Sequence, residues 1–129
     1  MRAYVAVTAQ ELSEFLKSGT FDASDVYAAT PTFSKNNPDL DEEEVEYTLS
    51  LVAAEDAQEL VGEGTGAPLV LAFEVPSDLI EAEHDMSVSL SAPLSWKNLE
   101  CCFEISGDGE ELTWFATQEI ADHIAEWLA

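Results

Sequence analysis

Two histidines stand where they could do chemistry. His123 has Glu119 four positions before it and Glu126 three after it. On a helix that spacing lines three candidate ligands along one edge, a set zinc or manganese could use with a further ligand from elsewhere. His84, in "EAEHDM", has Glu81, Glu83 and Asp85 beside it. The plainer reading makes both histidines solvent-facing neighbours of acids, and no metal or cofactor is expected.

Other reactive groups point the same way. Cys101 and Cys102 are adjacent, and strand neighbours face opposite sides of a sheet, so a disulfide between them would strain the backbone. Without a CxxC pair they read as buried free thiols in a reducing compartment. Serines are plentiful, yet no G-x-S-x-G elbow exists and neither histidine stands in a triad pattern. "GEGTG" (62–66) follows a helical pattern and leads into a strand, the reverse of a phosphate cradle, and it lacks the lysine. Trp96, Trp114 and Trp127, with Phe73, Phe103 and Phe115, have strand or helix spacing and read as core.

The charge balance excludes whole classes of partner. Twenty-seven acids against Arg2, Lys17, Lys35 and Lys97 leave a formal charge of -23. Nucleic-acid binding depends on neutralising phosphates with lysine and arginine, so direct nucleic-acid binding is not expected. Divided at Gly64 the acids split 14 and 13, which describes a charged surface rather than a tail. The sharpest concentration is "DLDEEEVE" (39–46), with six acids in eight residues. A calcium loop needs spaced oxygen ligands around a central glycine, and this run has neither. Asp41 and Glu44 instead stand in the Asp-x-x-Glu relation of a capping box, ahead of an apolar face through Val45, Leu49, Val52, Ala53 and Leu60. Tyr47, Leu51 and Ala54 widen that face, which implies a helix packed on a sheet.

The elements that would position these residues follow from periodicity. "AYVAVT" reads as a strand, and Thr8 opens a second capping box, "TAQE", for a short helix stopped at Gly19. "VYAAT" is a strand closed by Pro31, and "FSKNNPDL" has loop chemistry. "LVLAFEV" is apolar almost throughout, as a strand covered on both faces must be, whereas "MSVSLS" alternates and keeps one polar face. A single turn near Ser95–Leu99 precedes a strand to Ile105, and "GDG" (107–109) has the residues of a hairpin turn to "ELTWFA". Thr117 then caps a last helix with the stripe Ile120, Ile124, Trp127 and Leu128. The sum is one α+β domain over residues 1–129: a mixed or mostly antiparallel sheet of about six strands, one long helix and two shorter ones. No segment reaches the ~18 continuous apolar residues of a membrane helix, and the chain reads as cytoplasmic.

"MRAYVAVTAQEL", "YAATP", "DEEEVEY" and "PLSWKNLECCFEI" together resemble an uncharacterised family of small acidic actinobacterial proteins, in order over most of the chain. That resemblance implies relatives without implying an activity. The element order also resembles the ADP-ribosyltransferase-type fold, whose members carry a His or Arg on the first strand and a late catalytic Glu. Here the first strand offers Tyr4 and Thr8, with Arg2 just before it, and no late Glu stands in a comparable setting.

The resulting expectation is a non-enzymatic acidic domain that binds a basic protein partner. The alternative is an enzyme or nucleotide-like small-molecule binder on the ADP-ribosyltransferase-like scaffold. Its site would lie where the first strands meet the long helix, at Tyr4, Thr8, Tyr27, Thr30 and Tyr47.

Overall fold

The computed structural model describes residues 1–129 except Glu63, Thr65, Gly107, Asp108 and Glu110. The chain runs β1 (Arg2–Val7), α1 (Ala9–Ser18), β2 (Thr20–Phe21), β3 (Asp25–Ala28), α2 (Pro31–Asn36) and α3 (Glu42–Val61). It continues with β4 (Leu69–Glu74), β5 (Ile80–Glu83), β6 (Ser87–Leu90), β7 (Leu94–Ser95), β8 (Leu99–Ile105), β9 (Leu112–Ala116) and α4 (Ile120–Leu128). Among the described residues the main sheet has seven strands, one more than the sequence suggested, in the order β5-β6-β3-β1-β4-β8-β9. Every pairing is antiparallel, and β2 and β7 form a separate two-stranded ribbon.

Capping boxes start α1 and α3. Thr8 Oγ1 accepts the Glu11 N–H at 3.1 Å while a Glu11 carboxylate oxygen accepts the Thr8 N–H at 3.0 Å. Gly19 ends α1 in the left-handed conformation at φ 78°. Asp41 and Glu44 exchange the same pair of bonds at 2.8 and 3.2 Å, so the acid run is the first turn of α3. Glu42, Glu43 and Glu44 are exposed there.

The sheet is covered on both sides. Successive residues of β4 alternate between two cores: Leu69, Leu71 and Phe73 face α1 and α4, and Val70 and Ala72 face α3. All five are fully buried, as the apolar run requires. The face of α3 against the sheet is built from small side chains, with Ser50, Ala53, Ala54 and Ala57 buried beside Val45 and Leu49. The larger residues expected to share that face sit on its flanks, and Tyr47 and Leu60 are 60% and 51% exposed. Small residues let the helix lie close on the strands, which turns its bulky positions outward.

Three expectations about elements need correction. The segment read as loop after β3 begins as a helix: Pro31 occupies the first turn of α2, capped by Thr30 Oγ1, which accepts the Phe33 N–H at 3.1 Å. Four α-helices are therefore described rather than three. Thr117 does not cap α4, because its hydroxyl donates to the Leu99 carbonyl at 3.0 Å. Leu128 at the end of the α4 stripe is 38% exposed, while Ile120 and Trp127 are buried. Gly107 and Asp108 of the hairpin turn assigned to "GDG" lie outside the described residues, although Gly109 has a φ of 79° and β8 and β9 do pair. No helix of the described residues is long and apolar enough to cross a membrane.

Candidate functional site

Strand alternation sorts the residues of β3 and β6. Val26, Ala28, Val88 and Leu90 enter the core beneath α1 and α4, which leaves Asp25, Tyr27, Ser87 and Ser89 on the α3 side. The register sets Asp25 opposite Ser89 and Tyr27 opposite Ser87. Since α3 packs over β1, β4, β8 and the near side of β3, a hollow of about 690 Å3 opens between its last turns and the β3–β6 half of the sheet. That volume is in the range of small-molecule and side-chain pockets.

Tyr4 and Ala6 of β1 and Tyr27 of β3 give the hollow an aromatic and apolar floor. Asp56, Glu59 and Leu60 of α3 form one wall, and Asp25, His84 and Ser87 the other. None of the chain's four lysines and arginines lines it. Arg2 is turned away to Glu100, with Nη1 2.5 Å from Oε2, while its Nε donates to the Tyr4 hydroxyl at 3.3 Å.

Two hydroxyl–carboxylate pairs organise the walls. The Tyr27 hydroxyl donates to Asp56 Oδ2 at 2.5 Å, linking sheet to helix. That bond, then burial and the negative charges of Asp56, Glu59 and Glu55, push the phenol up to about 12. On the opposite wall Ser89 Oγ donates to Asp25 Oδ1 at 2.7 Å and lies 2.8 Å from His84 Nε2. An ionised carboxylate only accepts, so the single hydroxyl proton goes to Asp25 and His84 Nε2 must carry its own proton. Serine, histidine and aspartate are thus brought together in the wrong order for a nucleophile. A catalytic serine gives its proton to the histidine, and Ser89 does not.

Of the five residues expected at a ligand site, Tyr4 and Tyr27 line the hollow and the others do not. Thr8 is occupied as the α1 cap. Thr30 is fully buried, with its hydroxyl shared between the Phe33 N–H and the Asp85 carbonyl. Tyr47 lies on the outer flank of α3, in a separate shallow depression with Leu40, Glu43 and Thr48.

The helical metal set is not assembled either. Glu119 turns back to accept the Ala116 N–H at 2.9 Å, and His123 Nδ1 meets Glu126 Oε1 at 3.2 Å. The His123 ring packs between Phe115 and Trp127, with centroids 4.7 and 5.6 Å away. Among the described residues no group of three or more His, Cys, Asp or Glu is arranged to hold a metal ion. Both cysteines are free and buried, on opposite faces of β8, and burial pushes both thiols up, away from the thiolate form.

Sequence reading missed Asp25, Asp56, Glu59 and Ser89. The two-residue spacing of Asp25 and Tyr27 put them on one face of a strand, but nothing local marked that face as a cavity wall.

Residues 1–104 match the model of a family of unknown function, DUF6912. The matched span contains every residue that lines the hollow and stops before β9 and α4. No curated protein and no solved structure matches the chain.

Proposed function

We propose that this chain, which belongs to the family of unknown function DUF6912, is a non-enzymatic binding domain whose hollow receives a positively charged side chain of a basic protein partner. One observation carries the reading: Asp25, Asp56 and Glu59 share a cavity with the rings of Tyr4 and Tyr27, and no cationic lysine or arginine neutralises them there. An ammonium or guanidinium group over a tyrosine face gains about 0.5–2 kcal/mol. Asp25 and Glu59 are exposed and Asp56 half-buried, so each carboxylate adds at most about 1 kcal/mol more. Set against the cost of immobilising the group, these terms support weak binding of a lone side chain, with Kd on the order of 0.1–1 mM. The net charge of -23 would steer a basic partner toward the domain at low salt.

A nucleotide, as the likeness to the ADP-ribosyltransferase scaffold would suggest, fits the hollow less well. Its phosphates would face three carboxylates. The commitment of the Ser89 proton to Asp25 and the raised thiols also support a role without covalent chemistry. Two free cysteines suit a cytoplasmic site of action.

Titration with Nα-acetyl-lysine amide and Nα-acetyl-arginine amide, followed by heteronuclear NMR, tests this. Shifts centred on Tyr4, Tyr27 and Asp56 that weaken with added salt are expected. Equal shifts with the uncharged norleucine analogue, or no shifts near these residues, would remove the proposal.

A further inference from the structure

We infer that the hollow between α3 and β3 selects a dication, two cationic groups joined by an apolar spacer, rather than a single positive charge. The inference rests on the cation-binding reading above and narrows it.

Three features of the cavity point to two charges. The carboxylates come from different elements: Asp25 from the sheet, oriented by Ser89 at 2.7 Å, and Asp56 from the helix, oriented by Tyr27 at 2.5 Å. Each donor engages one oxygen, Oδ1 of Asp25 and Oδ2 of Asp56, which leaves the second oxygen of each for a ligand. The two acids are also kept apart. Asp25 sits a two-residue step from Tyr27, about 7 Å along the strand, whereas Asp56 lies at the hydroxyl end of the same tyrosine. The tyrosine side chain therefore separates them, and no three acids or histidines among the described residues converge tightly enough to hold one metal ion.

The surface between the two charges is apolar. Tyr4, Ala6, Tyr27 and Leu60 line it, and Glu59 adds a further negative charge one helical turn from Asp56. A single ammonium would meet one wall and leave the second oxygen of the other carboxylate unused. Two ammonium groups on an alkyl chain would meet both walls and lay the chain across the half-buried Tyr27 ring, where aromatic and cationic contacts add; the Tyr4 ring is buried, with the Arg2 guanidinium 5.7 Å from its centre. The same chemistry is offered by a free aliphatic diamine and by two neighbouring lysines of a protein.

Calorimetry with 1,4-diaminobutane, 1,5-diaminopentane, n-butylamine and acetyl-Lys-Lys-amide separates the outcomes. The diamines are expected to bind at least ten-fold more tightly than butylamine. Asp25→Asn and Asp56→Asn should each bring a diamine down to the butylamine level. Glu14→Gln, which removes an exposed charge on α1 across the sheet, should change nothing. Butylamine binding as tightly as the diamines would overturn the dication while leaving the cation reading in place. No binding by any of the four would overturn both. Equal losses in Glu14→Gln and Asp25→Asn would reduce the effect to diffuse attraction and also overturn it. Acetyl-Lys-Lys-amide outbinding the diamines supports the inference with a protein as the source. The reverse order supports it with a free amine as the source.

Discussion

The Tyr27 hydroxyl donates to Asp56 Oδ2 at 2.5 Å, joining a strand to a helix 29 positions further along the chain. It is the one described side-chain hydrogen bond that crosses the hollow, and it ties the end of α3 to β3.

That relationship has a pH signature. The folded Tyr27 phenol titrates near 12, against an ordinary value near 10. Neutral phenol is the donor, so the contribution is fully present below pH 10 and is lost as pH rises from 10 toward 12. Tyr27→Phe is expected to cost about 0.5–1 kcal/mol at pH 7, since the pair is only part-buried and solvent screens it. The difference from the parent should disappear above pH 12. Denaturant unfolding at several pH values, with tyrosinate absorbance followed in parallel, checks both; an unchanged gap at high pH would disprove the assignment.

The bond between Ser89 and Asp25 predicts a histidine tautomer. His84 should carry a proton on Nε2 at neutral pH, because Ser89 Oγ offers that nitrogen only an acceptor. Long-range proton–nitrogen correlation spectra report this directly. Ser89→Ala should release Asp25 and lower affinity for a bound cation by a few fold with little loss of stability. A neutral His84 protonated only on Nδ1 would contradict the geometry.

Trp127 provides a packing test. It is 1% exposed, its ring meets Phe115 at a centroid distance of 5.1 Å, and its Nε1–H has no hydrogen-bond partner among the described residues. A buried unpaired donor is a cost, so Trp127→Phe removes that cost along with part of the ring. The change should be small, within about 1 kcal/mol, whereas Trp127→Ala should lose about 3–5 kcal/mol. Thermal and denaturant unfolding of both variants settle the comparison, and a loss in Trp127→Phe as large as in Trp127→Ala would show that the indole nitrogen does have a partner.

Thr30 has no exposed surface, and its hydroxyl joins α2 to the turn that carries His84. Thr30→Val keeps the shape and removes both bonds. A loss of about 1–3 kcal/mol is expected from the unpaired Phe33 N–H and Asp85 carbonyl. The His84 resonances should shift as well, because the turn loses its anchor. Stability within a few tenths of a kcal/mol of the parent would argue against the bridge.

What the sequence by itself determined was local. The Thr8–Glu11 and Asp41–Glu44 boxes, the Gly19 stop and the nearly all-apolar β4 follow from bonds and periodicities within a few residues, and each is found where those patterns place it. Pro31 shows the limit even at short range, since a proline that ends one element is equally suited to begin the next. The cavity was decided by tertiary structure alone. Asp25 meets Ser89 because β3 pairs with β6 across 64 positions, and Tyr27 meets Asp56 because small residues let α3 settle close on the sheet. The same close packing turned Tyr47 outward. Side chains so distant in the chain share no local pattern, and only the register of strands and the placement of one helix bring their charges into one hollow.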